Sequence, residues 1–296
     1  GQYDNLLNFH YENVKNKKVL DVGCGRGEWL SKCLSFGFDP IGIDENIHMT
    51  KQCTTKGLKV IKNDIFAAMK NLSEKSFSII SAFHLIEHLN YNEIETFLIE
   101  CKRLIEDDGL IILETPNIDN LSVATRTFYL DTTHKTLVNP DSLLFQLQEF
   151  GFHGEYFMIN GNNNLSNNPR TIFNIFDGSA QDLLVIASLS ENTKRNLFNE
   201  ESAWLSSINH GMSTRQSATF FDEDYDRLKK DFYTLQKHLI VLENQNNRLE
   251  QKILFFEKIF QIRLLYTLHH LIKNIKQKIK RLLFRIAKKI YFNFSK

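Results

Sequence analysis

The chain has 296 residues, 42% hydrophobic and 24% charged, with a formal net charge of +1. That length holds one large domain or two modest ones, and the composition is that of an ordinary soluble globular protein. The balanced charge gives no global attraction to nucleic acid, and no apolar run reaches the ~20 residues that span a bilayer.

None of the four cysteines, Cys24, Cys33, Cys53 and Cys101, forms a C-x-x-C pair. The spacing fits reduced thiols better than a disulfide framework or a zinc site. Gly1 to Asp4 shows no apolar signal region, and Gly in place of Met at position 1 leads us to expect a fragment of a longer chain.

From Lys17 to about Ser190, short apolar runs alternate with helical patterns. Five buried strands are predicted: Val19–Val22 ending at Gly23, Pro40–Asp44, Lys59–Ile61, Phe77–Ser81 and Leu110–Leu113. Between the fourth and fifth, apolar residues at 94, 97, 98, 101, 104 and 105 trace one helical face, with Gly109 as its stop signal. Such alternation predicts a parallel, doubly wound α/β sheet. Glu155–Ile159 and Asp182–Ser188 read as two strands joined without a helix, an antiparallel hairpin at the sheet edge. The Asn-rich segment from Asn160 to Pro169 is its loop.

Residues 191–221 read as a linker with a short helix around Trp204. From Tyr225 a heptad pattern sets in. Its a positions are Tyr225, Phe232, Leu239, Asn246, Ile253 and Phe260; its d positions are Leu228, Leu235, Leu242, Leu249 and Phe256. This predicts a coiled coil over residues 222–262. After Glu257 there is no acidic residue. Leu264, Leu268, Leu271, Ile275, Ile279, Leu282, Ile286 and Ile290 form one stripe among Lys and Arg. The tail, 263–296, therefore reads as a basic amphipathic helix for a membrane surface, with partner binding or a continuing coiled coil as the alternative.

Asp21-Val22-Gly23-Cys24-Gly25-Arg26-Gly27 follows the first strand and opens a helix, so the backbone can approach a ligand closely. Asp44 ends the second strand, where an acid can hold a ribose diol. Asp64 follows the third, where a carboxylate can accept from an adenine amine. Together the stretch Val19–Leu30, Asp44 and Asp64 resembles class I S-adenosylmethionine-dependent methyltransferases. The resemblance covers residues 17 to about 190 and implies a Rossmann-like sheet with a terminal antiparallel hairpin. It implies S-adenosylmethionine as cofactor, held by Asp21, Gly23, Gly25, Gly27, Trp29, Asp44, Asp64, Ile65 and Phe83. A Rossmann-like dehydrogenase, or a fold that has lost its cofactor, is the alternative.

His84-Leu85-Ile86-Glu87-His88 follows the fourth strand and matches the zinc-peptidase pattern H-x-x-E-H. That reading is rejected: the motif lies at a methyltransferase strand exit and no third ligand is evident. Some small-molecule O-methyltransferases carry Glu-x-x-Glu-His and bind a divalent ion, but His84 replaces the first acid, and no metal is expected. Glu87 and His88 also fit plain capping and packing roles. Asp131 and His134, in an insert after the fifth strand, are candidate acceptor or base residues, with a structural role as the alternative. The candidate catalytic set is His134, His84, His88 and Asp131; an acceptor hydroxyl needs a base near neutral pKa, whereas a phosphate oxygen needs none.

Gly25–Leu30, Glu114–Asn117, and Phe128–Asp131 with His134 resemble the methyltransferase domain of WbdD-type O-antigen chain terminators. That resemblance implies a cap on the non-reducing end of a bacterial surface polysaccharide, by sugar O-methylation. It also implies a trimeric coiled coil, a polymerase or other glycosyltransferase as partner, and a cytoplasmic location on the inner face of the inner membrane. The chain has no kinase signature, and it begins where that family's cofactor-reaching Arg segment would end. A methyltransferase for another glycan or small acceptor, or an inactive coiled-coil scaffold, are the rival readings. The expected organisation is a methyltransferase domain over 1–190, then linker, coiled coil and tail.

Overall fold

The computed structural model describes residues 1–161, 172–199, 204–205, 211–260 and 264–294. The chain divides into two compact units, residues 1–166 with 173–216, and residues 167–172 with 217–296.

The first unit opens with α1 (Asp4–Asn13), which buries Leu6, Leu7 and His10. Then follow β1 (Lys18–Val22), α2 (Glu28–Ser35), β2 (Asp39–Asp44), α3 (Ile47–Thr55), β3 (Lys59–Lys62), α4 (Ile65–Lys70) and β4 (Phe77–Phe83). After these come α5 (Tyr91–Leu104), β5 (Ile105–Pro116), α6 (Leu121–Thr125), α7 (Pro140–Glu149), β6 (His153–Ile159), α8 (Ile172–Asp177), β7 (Asp182–Ser188) and α9 (Glu191–Leu197). The strands form one seven-stranded sheet in the order β3-β2-β1-β4-β5-β7-β6. β1 to β5 run parallel. β7 lies antiparallel to both β5 and β6.

The sheet is apolar on both faces, which is why its strands read as continuous apolar runs rather than alternating ones. Leu20, Ile80, Ile111 and Val185 belong to the core on one face; Val19, Ile79, Leu110, Ile112, Leu184 and Ile186 belong to the core on the other. Successive residues thus point to opposite sides. α5 starts where Asn90 and Glu93 form a reciprocal capping box, and it buries Ile94, Phe97, Leu98, Cys101 and Leu104.

Three local expectations change. Gly109 does not stop a helix. α5 gives way directly to β5 at Ile105, and Gly109 sits inside that strand, where a Cβ would come within 2.6 Å of Ile105 and 3.0 Å of the Ser78 carbonyl. The connection from β6 to β7 is not free of helix, because α8 lies in it; residues 162–169 of the Asn-rich loop lie outside the described residues. The segment expected to be a linker contributes to the core: Leu197 and Trp204 are buried, and the Trp204 Nε1–H donates to the Leu197 carbonyl at 2.5 Å.

The second unit is helical. It carries most of α10 (Thr214–Phe260, 47 residues) and α11 (Leu264–Phe294, 31 residues). At ~1.5 Å per residue α10 is about 70 Å long. It exposes Tyr225, Phe232, Leu235, Leu239, Leu242, Leu249 and Phe256, and α11 exposes Leu268, Leu271, Ile275, Ile279, Leu282 and Ile286. Glu250 of α10 pairs with Lys276 of α11. Among the described residues no helix is long and apolar enough to cross a membrane. Residues 261–263 and 295–296, at the ends of the expected tail and coil, lie outside the description.

His10 gives the first unit a calculable acid sensitivity. It is 2% exposed, and its Nε2–H donates to the Ser78 carbonyl at 2.9 Å. Burial pushes its pKa down from 6.5 to about 4. The unfolded state therefore binds a proton below pH 6.5 that the native state refuses until about pH 4. Stability present above pH 6.5 is lost as pH falls toward 4, by roughly 3 kcal/mol over that window. Urea unfolding at stepped pH should show this decline, and His10→Gln should flatten it; an equally steep decline in the variant would assign it elsewhere.

Candidate active site

The glycine turn after β1 is bonded sideways to β2. The Gly23 and Cys24 N–H groups both donate to the Ile43 carbonyl, at 2.8 and 3.0 Å. The Gly25 N–H donates to Asp44 Oδ2 at 2.9 Å, and Asp44 Oδ1 accepts from the Asn46 N–H at 2.8 Å. Gly23, Gly25 and Gly27 have φ of 73°, 52° and 78°, the left-handed region that side chains resist. A Cβ on Gly25 would meet nothing within 4 Å, so its backbone lies open for a ligand.

A cavity of about 370 Å³ adjoins this turn, lined by Asp21, Gly23, Cys24, Gly25, Glu28, Trp29, Lys32 and Phe83. Asp21 is 2% exposed and accepts from the Ser81 hydroxyl at 2.7 Å. Burial raises its carboxyl pKa to about 7. The Trp29 ring packs against Phe83 (centroids 4.9 Å apart) and edge-on to Tyr3 (5.4 Å). The Trp29 Nε1–H is buried without a hydrogen-bond partner. A buried donor left unsatisfied beside a cavity fits a ligand that brings the missing acceptor.

The structure spreads the expected cofactor set over different surroundings. Asp21, Gly23, Gly25, Trp29 and Phe83 line the cavity, and Asp44 holds the turn. Gly27, the N-cap of α2, is not among the cavity-lining residues; a Cβ there would strike Leu58 at 2.5 Å and Cys53 at 3.0 Å, so close packing requires a glycine. Asp64 is the N-cap of α4 and accepts from the Ala67 N–H at 2.9 Å through Oδ1. Ile65 is buried in the core beside Ala68 and Met69. Glu28 and Lys32, one helical turn apart, are cavity residues that sequence reasoning missed.

At the exit of β4, His84 holds φ 50° and donates its backbone N–H to the Glu114 carbonyl at 2.8 Å. A non-glycine residue held in the left-handed region marks a site the surroundings over-determine. Its ring stands among carboxylates: Glu87 at 3.3 Å, Glu114 at 3.6 Å and Asp182 at 3.9 Å. Glu114 first and Glu87 second raise the His84 pKa to about 10. Tyr3, from the segment before α1, donates its hydroxyl to Glu114. Burial, reinforced by Glu114, raises that phenol well above its ordinary value. Burial also raises the Asp182 carboxyl. These carboxylates favour the protonated form of the His84 imidazole.

His88 and His134 are different. His134 Nδ1 lies 2.7 Å from the Phe128 carbonyl. A carbonyl has no proton to give, so Nδ1 carries the hydrogen and Nε2 keeps the lone pair. The His88 and His134 rings have centroids 4.7 Å apart. Each of Glu87, His88 and His134 offers one ligand-type atom within 4.8 Å of the others, and so do His84, Glu114 and Asp182. His134 is thus the third group beside the E-H pair that the sequence alone did not reveal. Glu87 is fully buried; one oxygen accepts from the Thr115 hydroxyl at 2.9 Å, and its carbonyl accepts from the Lys135 and Thr136 N–H groups. Those backbone bonds bring the His134 segment to the β4 exit.

Comparisons agree with this geometry. Residues 2–155, just over half of the chain, match the family described as a methyltransferase domain. A solved S-adenosylmethionine-dependent methyltransferase from Archaeoglobus fulgidus shares 28% identity, with a TM-score of 0.54 over 62% of this chain and 92% of that one. A ubiquinone biosynthesis O-methyltransferase of Pelagibacter ubique is 29% identical over 107 residues, 35% of this chain and 44% of that protein. An uncharacterized protein of Methanocaldococcus jannaschii is 29% identical over 116 residues, 39% of this chain and 48% of that one. The chain therefore spans less than half the length of these two curated relatives. By the family match over residues 2–155 and the parallel sheet with its antiparallel β7, the chain belongs to the class I methyltransferase-domain family, whose cofactor is S-adenosylmethionine.

Proposed function

We propose that this chain is an S-adenosylmethionine-dependent O-methyltransferase acting on a sugar hydroxyl at the non-reducing end of a bacterial surface polysaccharide. The observation that carries the O-methylation reading is the bond from His134 Nδ1 to the Phe128 carbonyl, which leaves Nε2 as the proton-accepting position of the neutral ring in the insert beyond β5. The cofactor supplies an electrophilic methyl group. Asp21, Gly23, Gly25, Trp29 and Asp44 would hold the cofactor, with Phe83 at the cavity wall. His134 Nε2 takes the proton from the acceptor hydroxyl as the O–CH3 bond forms and the C–S bond breaks, so that the attacking oxygen does not become a positively charged protonated ether. His84, kept cationic by its carboxylates, fixes the charge at the β4 exit. The similarity to the Pelagibacter ubiquinone biosynthesis O-methyltransferase supports a hydroxyl acceptor. The polysaccharide end as acceptor rests on the motif resemblance of Gly25–Leu30, Glu114–Asn117 and Phe128–Asp131.

The second unit supports a membrane-side assembly. The exposed apolar stripe on α10 falls on heptad a and d positions and suits self-association into a coiled-coil trimer. The stripe on α11 with its Lys and Arg suits the anionic inner face of the bacterial inner membrane, beside a polymerase partner.

Three outcomes test this. Asp44→Ala should weaken S-adenosylmethionine binding in calorimetry by about 1–3 kcal/mol, since it removes both a ligand acceptor and the bond that holds Gly25; unchanged affinity would show the acidic position misassigned. His134→Ala should keep cofactor affinity but lower terminal methylation, read by mass spectrometry of the polysaccharide, by about 10²–10⁴-fold; full methylation would move the base elsewhere or point to a phosphate acceptor. Deleting 264–294 should release the protein from anionic vesicles in flotation, while light scattering of the full chain reports an oligomer. Equal flotation of both forms, or a monomer at micromolar concentration, overturns the corresponding half.

A further inference from the structure

Behind His88 stands a short polar chain from the insert after β5. The Thr133 hydroxyl lies 2.8 Å from His88 Nδ1 and 2.6 Å from Asp131 Oδ1. The Thr133 backbone N–H donates to the same Asp131 oxygen at 2.8 Å. The Asp131 carboxyl is held below the usual carboxylate range, first by the Thr133 hydroxyl and then by the Thr133 backbone. An ionised carboxylate accepts hydrogen bonds and donates none.

A hydroxyl has one proton. With that proton committed to Asp131, Thr133 Oγ1 can meet His88 only as an acceptor, so His88 Nδ1 must be the donor. In the neutral ring the lone pair then belongs to Nε2. With the carboxylate removed, the hydroxyl rotor is free to turn its proton onto Nδ1, and the tautomer reverses. His134 reaches the same state by another route, through the Phe128 carbonyl. The two rings stand with centroids 4.7 Å apart.

We propose that Asp131 and Thr133 are positioning residues that fix His88 as the tautomer with its proton on Nδ1, making His88 Nε2 a second proton acceptor beside His134. The use of that lone pair rests on the hydroxyl-methylation reading above; the tautomer itself does not, so the two can fail separately. The bonds involved are simple: the acceptor O–H proton passes to an imidazole Nε2, giving an imidazolium, and no further reagent is needed.

The test needs no acceptor. Two-bond ¹H–¹⁵N correlation spectra of the full chain, labelled with ¹⁵N-histidine at a pH where His88 is neutral, distinguish the two tautomers. His88→Gln identifies the resonance by its loss. We expect the lone pair on Nε2 in the unaltered protein and in Thr133→Ser, which keeps the hydroxyl. Thr133→Val and Asp131→Asn should shift His88 to the other tautomer or to a mixture, while the histidine resonances away from Asp131 and the His88–His134 pair stay in place and report an intact fold. A proton on Nε2 of His88 in the unaltered protein overturns the proposal, and that measurement stands even where a variant does not fold. A His88 spectrum in Thr133→Val that matches the unaltered protein overturns it equally.

Discussion

The bond from the Gly25 N–H to Asp44 is the constraint on which the site depends. A turn of three left-handed glycines has little conformational preference of its own and would collapse or fluctuate if left free. Here it is pinned along the neighbouring strand, with Gly23 and Cys24 on the Ile43 carbonyl and Gly25 on the Asp44 carboxylate. Because β1 and β2 are parallel and in register from Lys18–Asp39 to Val22–Ile43, both strand ends arrive together. The order in which the chain lays down its strands then reverses between β1 and β4, and the crevice at that switch point is where α/β sheets take ligands. The cavity lined by Asp21, Gly23, Gly25 and Phe83 is that crevice.

The reacting end is assembled from strand exits rather than from one motif. His84 leaves β4, Glu114 closes β5, and Asp182 opens β7, which runs antiparallel so that its first residue meets the last residues of β5. Tyr3 reaches the same cluster from ahead of α1. Concentrating three carboxylates around one imidazole offsets the cost of burying them and in turn holds the imidazole charged. This is a rigid electrostatic arrangement, and a polar environment fixed in advance is what favours charge movement during reaction.

Much of this was legible in the sequence. The parallel strands announced themselves as apolar runs, and the G-x-G-x-G turn with Asp44 placed the cofactor end, because these signals are local. Contacts formed across long sequence distances were not legible. Nothing in the spacing of Tyr3, Asp182 or Lys32 ties them to β1 or β4, and α1 offers only Leu6, Leu7 and His10 as a cue. Gly109 misled because a glycine after a helical pattern usually ends it, whereas here backbone crowding inside β5 demands the missing Cβ. Gly27 answers a packing need that its place in the motif does not show, since Leu58 and Cys53 occupy the space a side chain would need. Trp204 looked like part of a linker, since an isolated Trp among polar residues carries no period, yet it completes the core under β6 and β7.

Three histidines lie close to the β4 exit, and sequence alone ranks them no better than by position. What separates them is the atom behind each ring. Behind His84 stand carboxylates, which accept protons and attract positive charge, so the ring is held protonated. Behind His134 stands a carbonyl, which accepts one hydrogen bond from Nδ1 and so fixes the tautomer of the neutral ring. Behind His88 stands a hydroxyl, which either gives or takes, and only the carboxylate of Asp131 one step further decides which. The proton on each imidazole is thus placed by the group behind it, and for His88 by the group one step further. In the proposed reaction this places His134 as the base, His88 beside it, and His84 as a charged group at the β4 exit.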